Sequence, residues 1–240
     1  MPYFYAPPEN IKKDVIIFQD EESHHIKDVL RKKPGDSIWV TDGEGRLWLC
    51  VIEKSFKKRV EAKIIQEIEE RNDPEEEITL AAPIPKGKRI DFMIEKATEL
   101  GIRKFRPLIT QRSEIETCKR DRLRRIAISA IKQSERTILP EIEEPTHFGK
   151  VLEQIKNYDI AIMGFKESKE ILDGIIKGKK KILVIVGPEG GFTQEEYESA
   201  LKCGIIPVTL GKTTLRIETA AIALLSIIMN EITKSKKERG

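Results

Sequence analysis

From residue 1 to residue 72 apolar and polar positions alternate in short runs: Val15 to Phe18, Ser37 to Thr41, Arg46 to Ile52 and Arg59 to Ile68. Turn-forming stretches separate them, Lys33-Pro34-Gly35-Asp36 and Asp42-Gly43-Glu44-Gly45. Strands of period two with turns at this spacing predict a small β-barrel. One helix, Glu22 to Arg31, interrupts the pattern.

Glu67 to Glu77 is acidic, contains Asp73-Pro74 and supplies no apolar face, so a boundary is expected near residue 73, with domains at 1–72 and 73–240. Beyond it the pattern changes. Buried-strand runs, Ile78 to Ala82, Lys104 to Ile109, Asp159 to Gly164, Ile182 to Val186 and Ile205 to Leu210, alternate with helical ones. That alternation predicts an α/β domain with a parallel sheet covered on both faces. Ile90, Met93, Ile94, Ala97 and Leu100 recur at helical spacing, and Gly101 ends that helix. Leu123, Ile126, Ala127, Ala130 and Ile131 form a second such stripe, with Arg120, Arg122, Arg124 and Arg125 mostly off it.

Lys181 to Val186 is β-branched and stopped by Gly187-Pro188, which predicts a strand that feeds a tight loop. Gly187, Gly190 and Gly191 leave backbone open to close approach, and Thr193 with Glu196 has capping-box spacing. The helix so begun ends at Gly204. The next strand leads to Gly211 and a second loop. Ile217 to Ile232 then reads as a helix apolar on nearly every face, which predicts burial on all sides and, through it, a homodimer.

Composition adds constraints. Charged residues are 35% of the chain, a bias of heat-adapted proteins, yet the net charge is only +3. The distribution is uneven: Lys86 to Arg136 holds fifteen Lys or Arg against seven Asp or Glu, while residues 1–72 hold thirteen against fourteen. The basic stretch suits a nucleic-acid face. Cys50, Cys118 and Cys203 are dispersed and form no CxxC, so neither a zinc site nor a disulfide framework is expected. With no leader and no apolar run long enough for a membrane, the expected location is the cytoplasm.

The usual fingerprints are missing. GPEGG is not GxGxxG, Gly211-Lys212-Thr213 lacks the first glycine of a phosphate loop, and GxSxG is absent. His24, His25 and His147 have no acid and serine partners at a recognisable spacing. What remains is a ligand held by loop backbone at strand ends, where open α/β sheets bind ligands.

Five blocks, HHIKDVLRKKPGD (24–36), KGKRIDFMIEKATELGI (86–102), QSERTILPEI (133–142), GPEGG (187–191) with Glu195 and Glu196, and LGKTTLRIET (210–219), give the chain its resemblance. It is similar to the RsmE family of small-subunit (16S) ribosomal RNA uridine-N3 methyltransferases, of the SPOUT (α/β-knot) class. The resemblance implies a PUA-like RNA-binding barrel, a SPOUT domain with a C-terminal trefoil knot, a homodimer, S-adenosyl-L-methionine as cofactor and no metal. Carried onto this sequence, the cofactor loops are Met163, Gly164 and Phe165; Gly187, Pro188, Glu189 and Gly190; and Leu210, Gly211, Leu215, Arg216 and Thr219.

Uracil N3 must lose a proton before it attacks a methyl group, so a base or an anion-stabilising cation is required. Arg216, Glu189 and Glu218 are the charged candidates: Arg216 for the anion, Glu189 as base, Glu218 to orient Arg216 or favour the helix start. Family members often carry Pro-Arg near the start, where this chain reads Pro2-Tyr3. RNA contact is therefore expected from Tyr3 by stacking, and from Arg31 with Lys32 or Lys88 with Arg89 by charge. Two alternatives stay open: a knot methyltransferase acting on another RNA atom, such as a ribose 2′-OH, and a catalytically silent RNA-binding protein.

Overall fold

The structure, a computed structural model, describes residues 3–69 and 72–238. The chain divides into two compact units, residues 1–73 with 128–139, and residues 74–127 with 140–240.

In the first unit the strands are β1 (Phe4–Tyr5), β2 (Ile11–Lys12), β3 (Val15–Gln19), β4 (Ser37–Thr41), β5 (Leu47–Ser55) and β6 (Arg59–Glu67). Among the described residues they form one sheet in the order β1-β4-β5-β6-β3-β2, antiparallel except for β1 beside β4. β1 and β2 stand at the ends of this order, so the predicted barrel is open in its hydrogen bonding. Alternation does the work expected of it: Ile16, Phe18, Ile38, Val40, Val60 and Ala62 share one apolar core. The predicted helix over 22–31 is instead α1 (Asp20–His24) running into a π-helical turn, His25–Val29, in which the Leu30 N–H donates to the His25 carbonyl at 3.0 Å. The wider turn aims Ile26 into the core.

Residues 128–139, which a boundary near residue 73 leaves in the second domain, pack in this first unit. The reason is polar. Asp73 accepts from Arg136 Nε (2.9 Å), the Thr137 amide (2.7 Å) and the Thr137 hydroxyl (2.6 Å), and the Thr137 carbonyl accepts from the Gly45 amide (3.0 Å) and the Thr41 hydroxyl (3.1 Å). Much of the QSERTILPEI block is therefore structural.

The second unit contains β7 (Glu77–Ala82), α2 (Arg89–Glu99), β8 (Lys104–Ile109), β9 (Glu141–Ile142), β10 (Thr146–His147), α4 (Phe148–Glu153), β11 (Ile160–Gly164), β12 (Lys181–Ile185), α5 (Gln194–Lys202), β13 (Ile206–Val208) and α6 (Ile217–Lys237). The helix between β8 and β9, α3 (Arg120–Gln133), begins in this unit and ends in the first. All strand pairs of the unit are parallel, in the order β10-β8-β7-β12-β11-β13 with β9 beside β8. β7 and β12 are apolar and buried at nearly every position, as a sheet covered on both faces requires. Gly101 (φ +94°) and Gly204 (φ +79°) end their helices in the left-handed region.

The C-terminal helix departs from expectation. It continues past Ile232 to Lys237, and within this chain it buries one stripe, Ile217, Ala221, Leu224, Leu225, Ile228 and Ile232. Ile222, Ala223, Ile227 and Met229 stay partly exposed. No helix among the described residues is long and apolar enough to cross a membrane.

Candidate active site

β12, β11 and β13 are neighbours in a parallel sheet, so the loops that leave their carboxyl ends converge on one edge. Together they line a cavity of about 390 Å³ whose wall includes Gly164, Phe165, Gly187 to Phe192, Leu210, Gly211, Leu215 and Arg112. Five of the nineteen lining residues are glycines, so main chain forms part of the wall. A Cβ on Gly187 would lie 2.9 Å from the Phe192 ring, and one on Gly190 would lie 3.3 Å from the Arg112 side chain. At Gly211 the constraint differs: φ is +111°, and a Cβ there would meet nothing within 4 Å.

The second loop is braced from several sides. Thr193 caps α5 in a full capping box with Glu196, whose carboxylate accepts from the Thr193 amide (2.9 Å) and also from the Gln111 amide (2.8 Å). Arg112 Nη1 donates to the Gly190 carbonyl at 2.5 Å. Phe192 packs on Phe148 with ring centroids 5.2 Å apart, and Phe165 stacks on Tyr197 at 4.1 Å.

A second, more open cavity of about 590 Å³ adjoins the first and shares Thr214 and Leu215 with it. Its wall is Lys88, Arg89, Phe92, Arg216, Glu218 and Thr219. The three catalytic candidates are thus divided, Glu189 on the first cavity, Arg216 and Glu218 on the second. Arg89 connects them: its Nη1 lies 3.4 Å from Glu189 Oε1. Arg216 is the exposed N-cap residue of α6 and makes no side-chain cap. Glu218 is 6% exposed, and its Oε2 is buried without a hydrogen-bond partner. No ion pair joins Glu218 to Arg216 among the described residues, so the expected orienting contact is absent. The extended N-cap backbone at Arg216 (ψ 159°) precedes the helical turn that carries Glu218.

Other expectations are corrected. Met163 is fully buried in the core of the second unit and does not line the cavity, because β11 at that point is paired on both sides. Thr219 lines the second cavity, not the first. Tyr3 is only 9% exposed, which removes it as a stacking surface. Burial, then Glu135 and Asp73, pushes its phenol above the usual range. Arg31 is exposed in the left-handed region (φ +53°), whereas Lys32 is partly buried and points its ammonium toward the Ser37 carbonyl (3.4 Å). On α3, Arg120 is tied to Glu144 and to the Ile142 carbonyl, and Arg122 to Asp91, so the basic stripe is partly neutralised.

Arg112, Lys166 and Phe192 also line the first cavity and escaped the sequence reading, whereas Thr213 and Thr214 line it from within the loop predicted over 210–216. The position of Arg112 just beyond the carboxyl end of β8 was the available signal. Among the described residues no cluster of three or more His, Cys, Asp or Glu is placed to hold a metal ion.

The family described as RNA methyltransferase domain matches residues 71–229, and the one described as RNA methyltransferase PUA domain matches residues 18–65. Over 235 residues the chain is 31% identical to the ribosomal RNA small subunit methyltransferase E of Aquifex aeolicus, covering 96% of this chain and 100% of that protein. The chain belongs to this RNA methyltransferase family. The Synechocystis member is 32% identical over 228 residues, 92% of this chain and 75% of its own. A crystal structure of the Neisseria gonorrhoeae methyltransferase E, bound to S-adenosyl methionine, matches with a TM-score of 0.88 at 32% identity over 96% of this chain and 97% of that one.

Proposed function

We propose that this chain transfers a methyl group from S-adenosylmethionine to N3 of a uridine in small-subunit ribosomal RNA. The observation that carries the reading is the cavity of about 390 Å³ walled by glycine-rich loops at the ends of three adjacent parallel strands. Its size falls in the range of small-molecule sites, roughly 300–1,000 Å³. The residues fit the donor: open backbone at Gly211, the apolar walls of Phe165, Leu210 and Leu215, and loop amides and carbonyls for polar groups. The loops that would hold it are those of a trefoil knot in this reading. When bound, S-adenosylmethionine supplies an electrophilic methyl group that needs no further activation.

The protein's own task is the proton. In this reading the second cavity receives the uracil, Glu189 takes the N3 proton, and Arg216 stabilises the negative charge left on the ring. Arg89, 3.4 Å from Glu189, sets the direction of that carboxylate. Glu218 presents a buried oxygen with no partner, and a donor group on the substrate would satisfy it.

Ile222, Ala223, Ile227 and Met229, apolar and partly exposed on α6, support a homodimer that covers them. Sedimentation at micromolar protein is expected to give twice the chain mass; a monomer contradicts it. The chemistry is tested by incubating the protein with the donor and small-subunit RNA. N3 methylation blocks Watson–Crick pairing, so primer extension should stop at one uridine and mass mapping should place one added methyl on its base. A methyl on ribose would replace this reading with the ribose one, and absence of donor binding by calorimetry would leave a silent RNA-binding protein.

A further inference from the structure

The tip of the β5–β6 hairpin is built from residues that neither the fold nor the turn requires. Ser55 and Val60 are the last pair, and the Phe56 amide donates to the Arg59 carbonyl at 2.7 Å, closing a four-residue turn, Phe56-Lys57-Lys58-Arg59. None of the four is a residue that tight turns favour, and none adopts a positive φ. Phe56 leaves 51% of its surface exposed and so contributes little to the core.

The turn is nonetheless held in place. Lys27 Nζ reaches the carbonyl oxygens of Phe56 (3.4 Å) and Lys57 (3.1 Å), fixing the backbone without using the Phe56 ring. Charge is concentrated there as well. Residues 54–59 carry Lys54, Lys57, Lys58 and Arg59 and no acid, whereas the rest of residues 1–72 hold nine Lys or Arg against fourteen Asp or Glu. Glu61 pairs with Arg59 (2.6 Å) and lies 3.9 Å from Lys54, whereas Lys57 and Lys58 have no ion-pair partner among the described residues.

An exposed ring on a braced turn, next to two unpaired ammonium groups, combines the two elements that bind single-stranded nucleic acid: a π-face for a base and cations for the flanking phosphates. We propose that the Phe56–Arg59 turn is a subsite for unpaired RNA, with Phe56 stacking on a nucleobase and Lys57 and Lys58 contacting its phosphates. The proposal rests on RNA being the substrate.

The test is fluorescence anisotropy of the full chain with a labelled, unpaired fragment of small-subunit RNA over a range of salt concentrations. Stacking is insensitive to salt and phosphate contact is not, so the two roles separate. Phe56→Ala should weaken binding about 5- to 100-fold with the salt slope unchanged, and Phe56→Tyr should restore it. Lys57→Ala with Lys58→Ala should reduce the slope of log K against log salt by roughly 1.4, about 0.7 for each lost single-strand contact. All three side chains are exposed, so melting temperatures should match the parent. If the parent binds RNA and Phe56→Ala binds equally well, the subsite is wrong while the proposed substrate stands. If Phe56→Ala binds RNA normally but loses affinity for assembled small subunits, the turn contacts a protein instead. If the parent binds no RNA, the substrate reading fails and takes the subsite with it.

Discussion

The two glycine loops of the site use the same residue for different physical reasons. At Gly187 and Gly190 the absent side chains make room for the protein itself, since Phe192 lies against Gly187 and the Arg112 side chain against Gly190, while Gly191 turns the chain at φ +70° with open space beside it. At Gly211 no neighbour presses on the backbone, yet φ is +111° and the Cα faces open space. A loop packed from behind is a rigid wall. One that is open in front and conformationally special is a place where a ligand's edge is received. Together the two loops line a cavity with one side built by packing and the other left open.

The largest expected effects fall on the charged residues these loops present. Arg216→Ala and Glu189→Gln should each slow methyl transfer by about two to four powers of ten while donor affinity changes far less. Raising the pH should partly restore Glu189→Gln, because hydroxide then takes the N3 proton. A Glu189→Gln enzyme with normal turnover at neutral pH would shift the base to Glu218 or to the RNA.

The packed loop should respond in stability. Gly187→Ala drives a methyl group against the Phe192 ring, and overpacking of this kind costs about 1–3 kcal/mol, which lowers the melting temperature by roughly 2–12 °C. An unchanged melting temperature would mean that Phe192 yields freely and that the loop is not the rigid wall. A smaller change is expected at its brace. Arg112→Ala removes the hydrogen bond to the Gly190 carbonyl from an exposed side chain, and donor affinity should fall roughly two- to tenfold with turnover little affected. If affinity is unchanged, the backbone holds the loop unaided.

The contrast also marks what the sequence reveals. Local signals were readable where one residue determines one local geometry: the bounds of β4 and β8 follow from alternation and breakers, Thr193 with Glu196 makes the capping box, and Gly101 and Gly204 stop their helices. The GPEGG loop was legible as a site because it follows a buried strand. Contacts distant in sequence were not legible. Nothing local announces that Asp73 will gather Arg136 and Thr137, or that Arg89 on α2 will reach Glu189 in the loop after β12. Nothing local in Pro2-Tyr3-Phe4-Tyr5 announces which ring will be buried, and only the packed first unit shows Tyr3 covered. The π-helical turn at His25–Val29 was hidden because its hydrogen bonds leave no period in the side chains.

The most direct test is calorimetry of S-adenosylmethionine with the parent, Gly211→Ala and Gly211→Leu, each checked by thermal unfolding. Alanine introduces the backbone strain of a left-handed position with little bulk, while leucine adds a side chain that projects into the open space at φ +111°. If the cavity between the two loops holds the donor, the parent should bind one molecule per chain, alanine should bind more weakly, and leucine should show no measurable heat with the fold intact. Normal affinity in Gly211→Leu would contradict the account, because the donor would then lie somewhere this loop does not reach.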